Sequence, residues 1–137
     1  MGQFERVVPH RCFQVLCEGT RRPVARREDR PSYRVARYLK EHGYRIIPVN
    51  PRETEVLGEK CYPDLCSVPA PVEVVDVFRR PNQVPRVVAE ALYNGAKVVW
   101  MQEGIVHEAA ARRAREAGLE VVMDRCMMVE HSKLTGG

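Results

Sequence analysis

The stretch from Val72 to Phe78, Val-Glu-Val-Val-Asp-Val-Phe, constrains the fold more than any other. Its β-branched residues favour a pleated, buried strand. Val72, Val74, Val75, Val77 and Phe78 leave almost no polar alternation, so neither face of that strand is turned to water. A strand buried on both faces belongs to a parallel sheet covered by helices on each side. Asp76 interrupts the run, and it is the one acid inside it apart from Glu73 near the start.

The rest of the chain supplies matching parts. Arg45 to Val49 reads as a second short strand, Lys97 to Met101 as another, and Leu119 to Met123 as the last. Phe13, Val15 and Leu16 suggest a first strand that leads into Gly19-Thr20, before a basic stretch from Arg21 to Arg27 that Pro23 keeps from being helical. Between the strands lie segments of helical period. Arg30-Pro31 precedes Ser32, the expected N-cap of a helix to His42, with Val35, Ala36 and Leu39 on one face and Gly43 as the stop. Val84, Val87, Val88, Ala91 and Leu92 mark a second helix ending at Asn94-Gly95, and His107 to Ala117 a third ending at Gly118. Met127 to Lys133 reads as a short closing helix. Gly58, Pro63, Pro69 and Pro71 make residues 52 to 71 a connection with at most a turn or two of helix. Strand–helix alternation throughout predicts a three-layer α/β fold with a doubly wound parallel sheet of about five strands, forming a single domain over residues 1–137.

Composition narrows the function classes. No apolar run approaches the roughly 20 residues that span a bilayer. No apolar segment follows the N-terminal charges, so a secretory signal is not expected and the expected location is cytoplasmic. The net charge is +4, and residues 1 to 34 carry eight arginines against four acids, which leaves the remainder near neutral. A solvated basic surface or a phosphate-binding loop fits this distribution. A nucleic-acid surface is a third reading and fits less well, since aromatics are not interleaved and no recognisable binding motif is present. The five cysteines are an odd number and read as free thiols. Cys12/Cys17 and Cys61/Cys66 are spaced more loosely than the usual zinc pairs, and no metal site is expected.

Ligands of doubly wound sheets bind outside the carboxyl ends of the strands. Three turns fall there: Asn50-Pro51-Arg52, Arg79-Arg80-Pro81 and Gln102-Glu103-Gly104. Two of them bring arginine, whose planar fork suits phosphate. Cys126 follows Asp124-Arg125 on the same rim, where it is either a thiol with a favoured thiolate or a small residue in a corner with Met127 and Met128. His107 reads as a solvated first-turn residue, Glu130 and His131 are not a dyad, and His10 and His42 carry no signal. No nucleophile elbow, Walker loop, His-Glu-x-x-His motif or tight acidic cluster occurs, which favours a binding module over an enzyme.

From Arg30 onward, RPSYRVARYLKEHGY, PVNPR, VVDVFRRP, WMQEGI and MDRCMMVEH resemble, in order, the small stand-alone CoA-binding proteins. These are relatives of the CoA-binding domain of the succinyl-CoA synthetase alpha subunit. The resemblance implies a Rossmann-like, NAD(P)-binding-type fold that takes coenzyme A or an acyl-CoA. It implies that Val49, Asn50, Pro51 and Arg52 line the adenosine end, with Arg52 reaching a phosphate, and that Phe78, Arg79 and Arg80 flank the nucleotide. Gln102, Glu103, Gly104 and Ile105 would face the pantetheine arm, and Arg30, Pro31, Ser32 and Tyr33 the pyrophosphate. Cys126 would meet the CoA thiol, with a reversible mixed disulfide as the redox-linked expectation. The family's Gly-x-Ser type loop has only Gly19-Thr20 as a counterpart here, followed by a longer basic segment. Residues 1–29 are thus atypical, and read either as a divergent arginine-rich phosphate loop or as a replacement of the usual first strand. Two other functions stay open. An NAD(P)-dependent oxidoreductase or redox sensor is disfavoured by Asn50 and Arg52, where an acid would take the ribose hydroxyls. A ligand-free regulatory subunit is the other. Neither nucleic acid nor a membrane is an expected partner; a homo-oligomer is left open.

Overall fold

The computed structural model of the chain describes residues 13–18, as backbone, and 31–134. β1 (Phe13–Glu18) is followed by α1 (Pro31–Glu41) and β2 (Arg45–Val49). A two-stranded ribbon, β3 (Glu55–Val56) and β4 (Glu59–Lys60), and a 3-10 turn at Leu65–Ser67 lead to β5 (Val74–Phe78). A second 3-10 turn (Pro81–Gln83) opens into α2 (Val84–Asn94), and β6 (Val98–Met101), α3 (Glu108–Glu116), β7 (Glu120–Val122) and α4 (Met127–Leu134) complete the order.

The main sheet runs β2-β1-β5-β6-β7, and every pairing in it is parallel. The chain moves outward from β1 to β2, then crosses back to β5 on the other side of β1. That reversal is a topological switch point, the place where open α/β sheets bind their ligands at the carboxyl ends of the strands.

Alternation along the strands divides the core in two. Val75, Val77, Val99, Met101 and Val121 pack on α2 and α3 through Val87, Val88, Ala91, Ala110, Ala111 and Ala114. Val74, Val98, Trp100 and Val122 pack on α1 and α4 through Val35, Ala36, Leu39 and Met127. β5 is therefore covered on both sides, as its valine run requires. Trp100 is fully buried and also fastens the loop after β7, its Nε1 donating to the carbonyl of Arg125 at 2.7 Å.

Several local expectations are corrected. Ser32 is not the N-cap of α1: the helix begins at Pro31, which suits a first helical position because its missing N–H would have had no partner there. Ser32 is instead buried inside the first turn. The connection after β2 holds the β3–β4 ribbon as well as a short turn. Its two-residue loop, Leu57-Gly58, has positive φ at both positions (53° and 77°). The ribbon is fastened to α1 by Lys40, whose Nζ donates to the Leu57 carbonyl and to Glu59 Oε2 at 3.0 Å. His107 is not a solvated first-turn residue but the N-cap of α3, its Nδ1 accepting the Ala110 N–H at 3.1 Å. His42, which carries no signal in the sequence, stacks on the Tyr38 ring, and buried His131 is hydrogen-bonded to the Tyr38 hydroxyl at 2.9 Å. This cluster joins α1 to α4. Gly95 ends α2 in the left-handed conformation, φ 87°, and donates to the Ala91 and Leu92 carbonyls.

Candidate functional site

A cavity of about 480 Å³ opens at the carboxyl rim of β5 and β6, between α1 and α4. The first turn of α1 contributes Pro31, Ser32, Arg34 and Val35. The end of β5 contributes Phe78. The turn after β6 contributes Gln102, Glu103 and Ile105, and the start of α4 contributes Cys126 and Met128. The volume is in the range of small-molecule sites, and the walls are apolar with a few polar groups converging.

Each wall has a local cause. α1 points its N-terminus at the cavity because Val35, Ala36 and Leu39 bind its apolar face to the sheet. The first helical N–H groups have no acceptor within the helix, so that end favours an anion. The turn after β6 is held from across the rim: the Gly104 N–H donates to Asp124 Oδ1 at 2.7 Å. Asp124 adopts φ 58°, a left-handed geometry that aspartate tolerates better than most residues, and Gly104 adopts φ 83°. Gln102 is buried, and its Nε2 donates to Asp76 Oδ1 at 2.5 Å.

Asp76 is fully buried in β5, on the face it shares with Val74 and Phe78. Burial away from water pushes its carboxyl up to about 8, and the hydrogen bond from Gln102 opposes that rise. Its second oxygen, Oδ2, has no partner.

The residues expected at the site divide into four groups. Pro31, Ser32, Phe78, Gln102, Glu103, Ile105 and Cys126 line the cavity. Tyr33, Arg79, Arg80 and Gly104 lie beside it without lining it. Val49, Asn50, Pro51 and Arg52 belong to the β2 end of the rim. There, Val49 is packed in the core, and Asn50 uses its Oδ1 to accept the Arg52 N–H at 2.9 Å, so these two side chains serve the core and the turn. Gly19, Thr20 and Arg30 lie outside the described residues. Sequence reasoning missed Arg34, Val35 and Met128 in the lining. Their places depend on how α1 and α4 sit against the sheet, although Arg34 and Val35 are in the expected helix. Asp76 was visible as an acid in an apolar strand, but its link to Gln102 was not. Arg79 carries a further signal: its Nε is buried with no partner.

Away from this rim, Asp64, Cys66 and Glu90 hold ligand atoms within 4.8 Å of one another. The two carboxylates already have structural work. Asp64 Oδ1 accepts the Ser67 N–H and Glu90 Oε1 the Leu65 N–H, which fastens the 3-10 turn to α2. Desolvation, with Glu90 and Asp64 beside it, pushes the exposed Cys66 thiol up. Cys61 is buried and does not join this group. No helix among the described residues is long and apolar enough to cross a membrane.

Sheet order and switch point together define a doubly wound α/β fold, with a cavity at its carboxyl rim. The chain belongs to the CoA binding domain family, whose profile matches residues 24–132. It is 42% identical over 106 residues to the protein YneT of Bacillus subtilis, which covers 77% of this chain and 78% of that one. A stretch of 76 residues, 54% of the chain, is 32% identical to the ADP-forming acetate–CoA ligase II of Archaeoglobus fulgidus and spans 11% of that enzyme. Among solved structures, a protein of Pyrococcus horikoshii superposes with a TM-score of 0.83 at 39% identity, over 96% of this chain and 89% of the other. The α/β fold with its parallel sheet agrees with these neighbours.

Proposed function

We propose that the protein binds coenzyme A, free or acylated, in the rim cavity, and that it acts as a binding module rather than as a catalyst of acyl transfer. The observation that carries this reading is the cavity itself. Its lining brings the first turn of α1 together with apolar side chains and the Cys126 thiol. A phosphate group suits the first and a flexible, mostly apolar arm suits the second.

In this reading the N–H groups of Ser32, Tyr33 and Arg34 receive the pyrophosphate. Arg79 supplies a guanidinium whose buried Nε lacks a protein partner. Arg52 and Arg80, on the same rim, receive outer phosphate charge. Phe78 and Ile105 form apolar walls, and Gln102 and Glu103 the polar side of the arm. Cys126 then stands where the ligand's sulfur ends. It can exchange with a CoA disulfide: the Cys126 thiolate attacks one sulfur, the Cys126–CoA disulfide forms, and CoA leaves as its thiolate. Electrons balance with the disulfide as the oxidant.

Calorimetric titration with CoA, NAD and NADP tests the reading. CoA binding without NAD or NADP binding supports it, and preference for either dinucleotide, or no binding of any of the three, refutes it. Intact mass after treatment with CoA disulfide tests the thiol step, which fails if wild type gains no adduct or if the adduct survives in Cys126→Ser.

A further inference from the structure

Gln102 is 4% exposed, yet it lines the cavity. Its carboxamide nitrogen is taken by Asp76, 2.5 Å away inside the sheet. The carboxamide oxygen is the acceptor that this side chain can offer to the cavity. The same cavity is lined by the apolar Phe78, Val35, Ile105 and Met128, with Ser32, Arg34 and Glu103 as its other polar groups. An amide N–H entering such a slot needs an acceptor, because a buried donor left without one costs about 1–3 kcal/mol.

Asp76 is an unusual residue to find behind such a group. It is 0% exposed in a central strand, next to Val75 and Val77, and paired in register with Trp100. Its Oδ2 is unpartnered, so the protein does not fully satisfy it. Valine at this position would suit the strand better. Burial with no opposing charge also keeps the carboxyl protonated near neutral pH, so no bare anion stands behind the slot.

We propose that Asp76 is a positioning residue, which from inside the sheet fixes the Gln102 carboxamide so that its oxygen accepts a hydrogen bond from an amide N–H of the pantetheine arm. The proposal rests on the coenzyme A reading and adds to it a specificity element for the arm. A ligand with the nucleotide alone gains nothing from the pair.

Two ligands separate the contributions: CoA, and adenosine 3′,5′-bisphosphate, which keeps the nucleotide end and lacks the arm. Asp76→Val and Gln102→Met each weaken CoA about tenfold, the worth of one well-made hydrogen bond, and leave the bisphosphate within about twofold. The double variant loses no more than either single one, since both remove the same bond. Asp76→Asn keeps CoA within about threefold, because its Oδ1 can still accept from Gln102. NMR of the wild-type protein gives a readout that needs no variant: the Gln102 side-chain amide signals move with CoA and not with the bisphosphate. Unchanged CoA affinity in Asp76→Val or Gln102→Met, equal weakening of both ligands, or Gln102 signals indifferent to CoA overturns the proposal while leaving coenzyme A binding intact. Wild-type protein that does not bind CoA at all refutes the coenzyme A reading, and the positioning role falls with it.

Discussion

Replacing Asp76 with asparagine should change how the protein's stability depends on pH, in a direction opposite to that of an ordinary carboxylate. In the unfolded chain the Asp76 carboxyl titrates near 3.8, and in the fold burial pushes it up to about 8. Between these values the folded state holds a proton that the unfolded state has released. Stability contributed by the protonated acid is therefore fully present below about pH 4 and declines as pH rises toward about 8. Each pH unit in that window costs about 1.4 kcal/mol, so the full span is on the order of 5 kcal/mol. This is an upper bound, since a buried site relaxes when it ionises. A loss of that size is large against the roughly 5–15 kcal/mol net stability of a small domain. Asparagine has nearly the same shape, can accept the Gln102 hydrogen bond, and does not titrate. Urea unfolding of wild type and Asp76→Asn between about pH 5 and pH 8 measures the effect, with other titrating groups cancelling in the difference. The variant should gain on wild type by about 3–4 kcal/mol across that range. A difference that stays constant with pH would show that Asp76 is already ionised in the fold, and the reasoning would be wrong.

Other substitutions test separate joints. Gly95→Ala forces a Cβ onto φ 87° and against Pro71 Cβ at 3.7 Å, so the thermal midpoint should fall by an amount equivalent to about 1–2 kcal/mol. Tyr38→Phe removes the hydrogen bond to buried His131 and should cost about 1 kcal/mol in chemical denaturation, with faster amide exchange in α4. Asp124→Ala loses the acceptor for the Gly104 N–H and puts alanine at φ 58°, which should cost about 2 kcal/mol and weaken CoA binding; Asp124→Asn should retain most of both.

The sheet and its helices were readable because burial on two faces leaves a plain trace. The run around Val75 has no other soluble home, and the stripe Val35, Ala36, Leu39 can face only one way. The β3–β4 ribbon was not readable, for the reverse reason. Its turn places Leu57 at positive φ, where asparagine or glycine would be the signal, and its strands have two residues each. Contacts between distant parts were also invisible: Tyr38 and His131 are 93 positions apart, and Asp76 and Gln102 are 26 apart. At the site, the chemistry of the rim turns was legible from strand ends and arginines. The shape of the cavity was not, since it depends on where α1 and α4 settle. Thus Gln102 and Cys126 line the cavity from turns that the sequence marks, while Arg34 and Met128 reach it only through packing.

Pro48, in the outermost strand β2, has a consequence for how copies of this chain meet. The edge of a sheet offers unpaired N–H and C=O groups to any other strand, including that of a second copy. Here Pro48 turns its nitrogen, which has no N–H, to the outer side, where its carbonyl accepts the Tyr62 N–H at 3.0 Å. The Asn50 N–H on the same side is taken by the Tyr62 carbonyl at 2.9 Å. At the opposite edge, β7 is only three residues long. Among the described residues, neither edge presents a long open template to a second strand. A Pro48→Val, Tyr62→Pro variant restores an N–H at position 48 and removes the one that residue 62 gives to its carbonyl, so its aggregation at high concentration should rise.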